Sequence, residues 1–188
     1  MKKSFYFLSL LLLIISLPLS AKAESALGIG PVGNIFVVDS SPELDPGIGG
    51  QFYFDYRWSP QFSTQIGAMV TVQDGKGNNA GDNDIMLLGI PTFDLKFYLL
   101  SSPSRWDPYG FIGMGLYTLT EGSADNGTVA FGVGANLGLG CDYYISERFS
   151  VGLALVFRSI GLIDDVGGKN KGKALFPLSL TGGVAYHF

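Results

Sequence analysis

Every second residue is apolar over long stretches of this chain, and that alternation restricts its fold more than any other feature. From Ile48 to Trp58, one side carries Ile48, Gly50, Phe52, Phe54, Tyr56 and Trp58, and the other Gly49, Gln51, Tyr53, Asp55 and Arg57. The same two-residue period runs through 62–73, 85–99, 129–143, 149–157 and 178–188. Successive side chains of a strand point to opposite faces, whereas a helix repeats every ~3.6 residues. These runs are strands. Two Gly-rich runs, 27–38 and 109–119, complete a set of eight, although alternation does not settle their facing. Pro31 lies in the first, and a central ladder tolerates proline badly.

The connections alternate in length. Residues 59–60, 100–107 and 146–148 are short or tight, while 39–46, 74–83, 120–128 and 161–174 are longer and polar. Strands of ~10 residues with short turns at one end and long loops at the other describe an all-β, eight-stranded antiparallel up-and-down β-barrel that spans a membrane. Composition agrees: the chain is 47% hydrophobic and only 15% charged, against ~25–35% charged residues on a soluble surface. In 85–99, Leu87, Phe93, Leu95 and Phe97 are expected on the lipid side, opposite Thr92, Asp94, Lys96 and Tyr98. The polar faces are mostly Gly, Ala, Ser and Thr, which suit a narrow lumen better than a water-facing surface. Tyr56, Trp58, Phe62, Phe97, Trp106, Tyr109, Tyr143, Phe149, Tyr186 and Phe188 gather beside the short turns, as an interfacial belt would. The apolar face points outward.

The first residues read differently. Lys2 and Lys3 precede an apolar stretch from Phe5 to Leu19 and then Ala21-Lys22-Ala23, the pattern of a secretory signal peptide. Cleavage after Ala23 leaves residues 24–188 as one barrel domain. It also removes three lysines and no acid, taking the formal charge from −4 to −7, which argues against nucleic acid as a partner. Cys141 is the only cysteine, so no internal disulfide forms.

The chain closes on Thr181-x-Gly183-x-x-Tyr186-x-Phe188. This ending resembles the C-terminal assembly signal of bacterial outer-membrane barrels. With the signal peptide and eight alternating strands, the chain is similar to the small barrel superfamily of the OmpA transmembrane domain, OmpX and the opacity-like porins. That resemblance implies a monomer in the bacterial outer membrane, in contact with lipid and lipopolysaccharide. It also implies insertion by the barrel-assembly machinery, which reads Thr181, Gly183, Tyr186 and Phe188.

Motifs of other chemistries lack their context. "GIGPVG" at 28–33 matches a dinucleotide fingerprint, but β-branched "IFVV" follows where a helix is needed. "GGKNKGKA" at 167–174 carries Ala174 in place of the magnesium-binding Ser or Thr. "DGKGNNAGDND" at 74–84 has Lys76 and Asn79 at key positions of a calcium loop. No metal or other cofactor is expected. Loop acids, including Asp39, Glu43, Asp45, Asp74, Asp82, Asp84, Glu121, Asp125, Asp164 and Asp165, read as a solvated outer surface. The one histidine, His187, faces inward beside the C-terminus. With no histidine in any loop, no Ser/His pair is expected at the lipid-facing rim, and no enzyme activity.

The inward charges carry the functional reading. Asp55, Arg57, Asp94, Lys96, Asp142 and Arg158 all fall on polar faces, since a base on the lipid face would cost ~2–4 kcal/mol near the midplane. All but Arg158 lie in the half nearer the short turns. In a lumen just wide enough for side chains, three acids and three bases make a salt-bridged plug, with Asp94 expected to pair with Lys96 or Arg57. The role implied is structural or surface-interacting. The alternative is a small pore or conduit for minor or apolar solutes, which needs an uncharged, small-residue lumen. Only the outer half is expected to offer one.

Overall fold

A computed structural model describes residues 24–37, 44–75, 85–100, 105–121, 128–164 and 171–188. The expected signal peptide, the loop acids at 39, 43, 82, 84, 125 and 165, and the first half of the 167–174 motif lie outside them. The strands are β1 (Glu24–Phe36), β2 (Gly47–Ser59), β3 (Phe62–Gln73), β4 (Ile85–Tyr98), β5 (Trp106–Glu121), β6 (Thr128–Tyr144), β7 (Phe149–Asp164), β8 (Lys171–Leu175) and β9 (Pro177–His187). From β2 to β8 each pairs antiparallel with the strand before it in the chain, and β1 pairs with β9 to close the sheet. Both β8 and β9 pair with β7 in one continuous register (Ile160↔Leu175, Phe157↔Leu178), so the two form a single eighth stave interrupted at Phe176. The result is a closed eight-stave antiparallel barrel. No helix among the described residues is long and apolar enough to cross a membrane; strands do the crossing.

Several strands overrun their expected bounds. The β7–β8 hairpin pairs Asp164 with Lys171, so much of the expected 161–174 loop is ladder. At the other end, β5 begins at Trp106 and takes Asp107 out of the expected 100–107 connection. The two undecided runs also acquire a facing. In β1, Ala26, Val32 and Asn34 are buried while Leu27, Ile29 and Ile35 are exposed. In β5, Tyr109, Phe111, Tyr117 and Leu119 are buried while Ile112, Met114 and Leu116 are exposed.

Pro31 faces outward in the β1–β9 seam, where the paired register runs Ile29↔Val184 and then Val32↔Thr181. The step between them sets Pro31, which has no N–H, opposite Gly182. The Gly182 carbonyl instead accepts a 3.1 Å hydrogen bond from the Gln51 side chain in the lumen. That carbonyl lies over Gly30: a Cβ there would come within 2.0 Å of it. Glycine is required.

Two facings depart from expectation. A register shift in β4 between Gly89 and Thr92 inserts one extra residue against both β3 and β5. A bulge of this kind inverts the alternation beyond it, so Leu87 points inward and is wholly buried. Tyr109 leaves the belt for the lumen, because the early start of β5 puts it in phase with Asp107. The belt's other members remain outside and touch in pairs: Trp58–Phe62 and Phe62–Phe97 at 5.2 Å, Trp106–Tyr143 at 4.7 Å, Phe149–Tyr186 at 5.2 Å.

Candidate functional site

Among the described residues the lumen concentrates polar chemistry, and it is built in layers. The end with the short turns, which is periplasmic in outer-membrane barrels, holds most of the charge. Arg57 of β2 donates from Nη1 to Asp107 Oδ2 of β5 at 2.7 Å and to the Tyr144 hydroxyl at 3.3 Å. Its Nη2 donates to the Pro60 carbonyl, and its guanidinium lies 3.8 Å from the Tyr98 ring centroid. Beside it, Lys96 Nζ stands 2.7 Å from Asp55 Oδ2. That oxygen has no aligned hydrogen-bond donor, so this pair is a charge contact more than a directed bond. Tyr109 and Tyr53 flank the ammonium, their ring centroids 4.6 and 5.6 Å away. Asp142 accepts a long hydrogen bond, 3.4 Å, from the Tyr98 hydroxyl.

One layer outward, amides replace ion pairs. The Tyr117 hydroxyl donates to Asn136 Oδ1 at 2.6 Å, and Asn136 Nδ2 donates to Asp94 Oδ1 at 2.9 Å. Asp94 therefore has an amide partner and does not pair with Lys96 or Arg57, the reverse of the sequence expectation. Lys96 is committed to Asp55, and Arg57 to an acid that seemed to lie in a turn. Arg158 starts a second chain: it donates to Ser179, Ser179 to Asn34, Asn34 to Thr71 at 2.8 Å, and Thr71 to Gln73 at 3.1 Å. All five are buried. These bonds offset much of the cost of burying the five side chains, although Gln73 Nε2 and Arg158 Nε stay buried without a hydrogen-bond partner.

The outermost layer is apolar. Leu87, Leu119, Ile160, Leu162 and Leu175 are at most 1% exposed. They pack with Met69, Ile85, Tyr117, Ala130 and Leu44, the last drawn in from the first outer loop. An isolated Leu44–Gly75 bridge and the Asp45 N–H bonded to the Asp74 carbonyl at 2.8 Å hold Leu44 and Asp45 against the segment that follows β3. The expected small-residue outer lumen is thus filled with large side chains.

A third polar cluster sits at the inner rim. His187 Nε2 is 2.8 Å from Ser150 Oγ, and its Nδ1 is 3.0 Å from Glu24 Oε1. Tyr144 packs on the imidazole at 5.2 Å. The serine was not legible as a partner of His187, because the two are 37 residues apart. Register explains the meeting: Ser150 is opposite Ala185 and Ala26 is opposite His187. All three side chains therefore project from the same face of adjoining staves. Among the described residues no cluster of acids, histidine and cysteine could hold a metal ion.

The C-terminal residues expected to form an assembly signal divide by face. Thr181 is buried, donating to the Ala154 carbonyl at 3.3 Å. Gly183 faces the Tyr53 hydroxyl, which a Cβ would meet at 2.9 Å. Tyr186 and Phe188 are exposed on the lipid side, 6.3 Å apart.

Comparisons with known proteins agree with this architecture. No curated protein is similar in sequence. Among solved structures, Neisserial surface protein A superposes with a TM-score of 0.64 at 14% identity, over 88% of this chain and 97% of its own. OprG from Pseudomonas aeruginosa gives 0.63 at 19% identity, over 89% and 96%. Ail, the attachment invasion locus protein of Yersinia pestis, gives 0.58 at 14%, over 89% and 100%. At such identities these likenesses speak for the fold alone. The model of the outer membrane protein beta-barrel domain matches residues 7–188, and with that match over nearly its whole length, this chain belongs to the outer membrane protein beta-barrel domain family and resides in the bacterial outer membrane.

Proposed function

We propose that this protein is a closed, monomeric outer-membrane barrel with a structural or surface-interaction role, exposing its outer loops while its lumen is plugged at both levels. One observation carries the reading: the outer half of the lumen is filled by Leu87, Leu119, Leu162 and Leu175, all at most 1% exposed, beneath Leu44. A hydrated ion meeting that layer would shed its water against hydrocarbon, a prohibitive step. The inner half is closed by the Arg57–Asp107 and Lys96–Asp55 pairs. Residues 1–23 serve as the cleaved export signal. Thr181, Gly183, Tyr186 and Phe188 are read by the barrel-assembly machinery, and the lipid face meets lipopolysaccharide. Fold alone does not decide a role, and the runner-up remains a conduit for minor or apolar solutes. Single-channel recording on purified protein decides between them. The expected result is no steady conductance; large, stable openings would establish the conduit reading instead.

A further inference from the structure

The aromatic belt at the end with the short turns has two unlike halves. Beside Trp58, Phe62 and Phe97, the connections at 59–61 and 99–104 carry no charged residue. The nearest bases there, Arg57 and Lys96, are committed to Asp107 and Asp55 inside the lumen. Beside Trp106, Tyr143, Phe149 and Tyr186, the rim instead carries Arg105, Glu147 and Arg148. All three are exposed, and none is in an ion pair with another described residue. Glu24, another acid at this rim, is held by His187.

Backbone bonds bring the three charges together. The Tyr144 N–H donates to the Arg105 carbonyl at 2.9 Å, and the chain then turns at once, with the Ile145 and Ser146 N–H groups both donating to the Phe149 carbonyl at 2.9 and 3.2 Å. Ser146 Oγ accepts from the Arg148 and Phe149 N–H groups at 3.3 and 3.2 Å, which fixes the tip. Glu147 and Arg148 form that tip, three and four residues past the partner of Arg105. Adjacent strands lie ~4.8 Å apart, so the backbone from β5 to β7 places these charges within about 10 Å of one another. Apolar surface lies beside them: Trp106 is 63% and Phe149 47% exposed.

Two bases and one acid side by side complement a headgroup that joins an anionic phosphate to an ammonium. Guanidinium groups present several N–H donors to phosphate oxygens, and a carboxylate accepts from the N–H groups of a primary ammonium. An anionic headgroup without an amine would set like charge against Glu147, and a quaternary ammonium has no N–H to donate. We propose that Arg105, Glu147 and Arg148 form a docking surface for an aminophospholipid of the periplasmic leaflet, phosphatidylethanolamine by chemical class, whose acyl chains lie along Trp106 and Phe149. The general lipid contact of a barrel becomes selective on this arc.

The chain has two tryptophans, one in each half of the belt, so each half reports separately. Barrels carrying Trp106 alone (Trp58→Phe) or Trp58 alone (Trp106→Phe) are reconstituted with brominated phosphatidylethanolamine, phosphatidylglycerol or phosphatidylcholine, and fluorescence quenching gives the relative affinities. At Trp106, phosphatidylethanolamine should be preferred over both others by roughly two- to fivefold, the scale of exposed charge contacts. At Trp58 no preference is expected. Replacing both Arg105→Gln and Arg148→Gln should abolish the preference, and Glu147→Gln should invert it toward phosphatidylglycerol. Heat-modifiable migration on SDS gels checks that each variant is folded. Equal quenching by the three lipids at Trp106, a preference there for either of the others, the same preference at both tryptophans, or one that survives Glu147→Gln overturns the proposal and leaves the three as solvated rim charges.

Discussion

Arg57 reaches across the lumen from β2 to Asp107 on β5, with Nη1 2.7 Å from Oδ2 and the carboxylate fully buried. Two staves separate theirs, so this pair ties opposite walls that no ladder connects. Asp107→Ala would leave a buried guanidinium uncompensated and should lower unfolding stability by about 3–5 kcal/mol. Replacing both residues by apolar side chains of similar volume should recover most of that loss. Urea unfolding in detergent, followed by tryptophan fluorescence, measures both.

The partners of Lys96 and Asp94 make a second test. A double-mutant cycle of Asp55→Ala with Lys96→Ala should show a coupling of ~1 kcal/mol or more. Asp94→Ala should couple instead with Asn136→Ala, whose amide it accepts. If the Asp94–Lys96 cycle proves the strongest of the three, the assignment of partners is wrong.

Truncation of the outer layer probes the apolar plug. Leu87→Ala or Leu119→Ala removes a wholly buried side chain and should cost about 2–5 kcal/mol. Ile112→Ala, on the lipid face at 66% exposure, should cost much less in the same unfolding assay.

The β1–β9 seam depends on Gly30. Its alanine variant would place a methyl 2.0 Å from the Gly182 oxygen, against backbone that cannot swing away. Gly30→Ala should lower the temperature at which the barrel loses its heat-modifiable band on SDS gels. Gly172→Ala has nothing within 4 Å of the new methyl and should leave that temperature unchanged.

Deleting Phe188 separates assembly from stability. The ring is 64% exposed, and its backbone adds one bond to Ser25, so folded stability should fall by only a few kcal/mol. If the C-terminal residues are read during insertion, cells should nonetheless show sharply reduced outer-membrane protein, while the same variant refolded into detergent still forms the barrel. Normal levels in cells would make Phe188 an interface anchor only.

Alternation by itself determined six of the eight staves, the outward apolar face and the inward facing of Asp55, Arg57, Asp94, Lys96, Asp142 and Arg158. Those properties are periodic, and a period of two leaves a residue only two faces to choose from. Leu87 shows where this stops: one inserted residue near Gly89 reverses the phase, and nothing local in the sequence announces it. Tyr109 and Asp107 show the same weakness at a strand end, where a shift of a few residues turns a connection into lumen wall.

Partners were decided by the tertiary structure alone. Which acid meets Lys96, whether Asp94 finds a cation or an amide, and how Ser150 comes to His187 and Glu24 all depend on interstrand register and on the stagger accumulated around a closed barrel. These are relations between segments far apart in the chain. A linear pattern gives each side chain its face, and only closure sets the height at which faces from different staves meet.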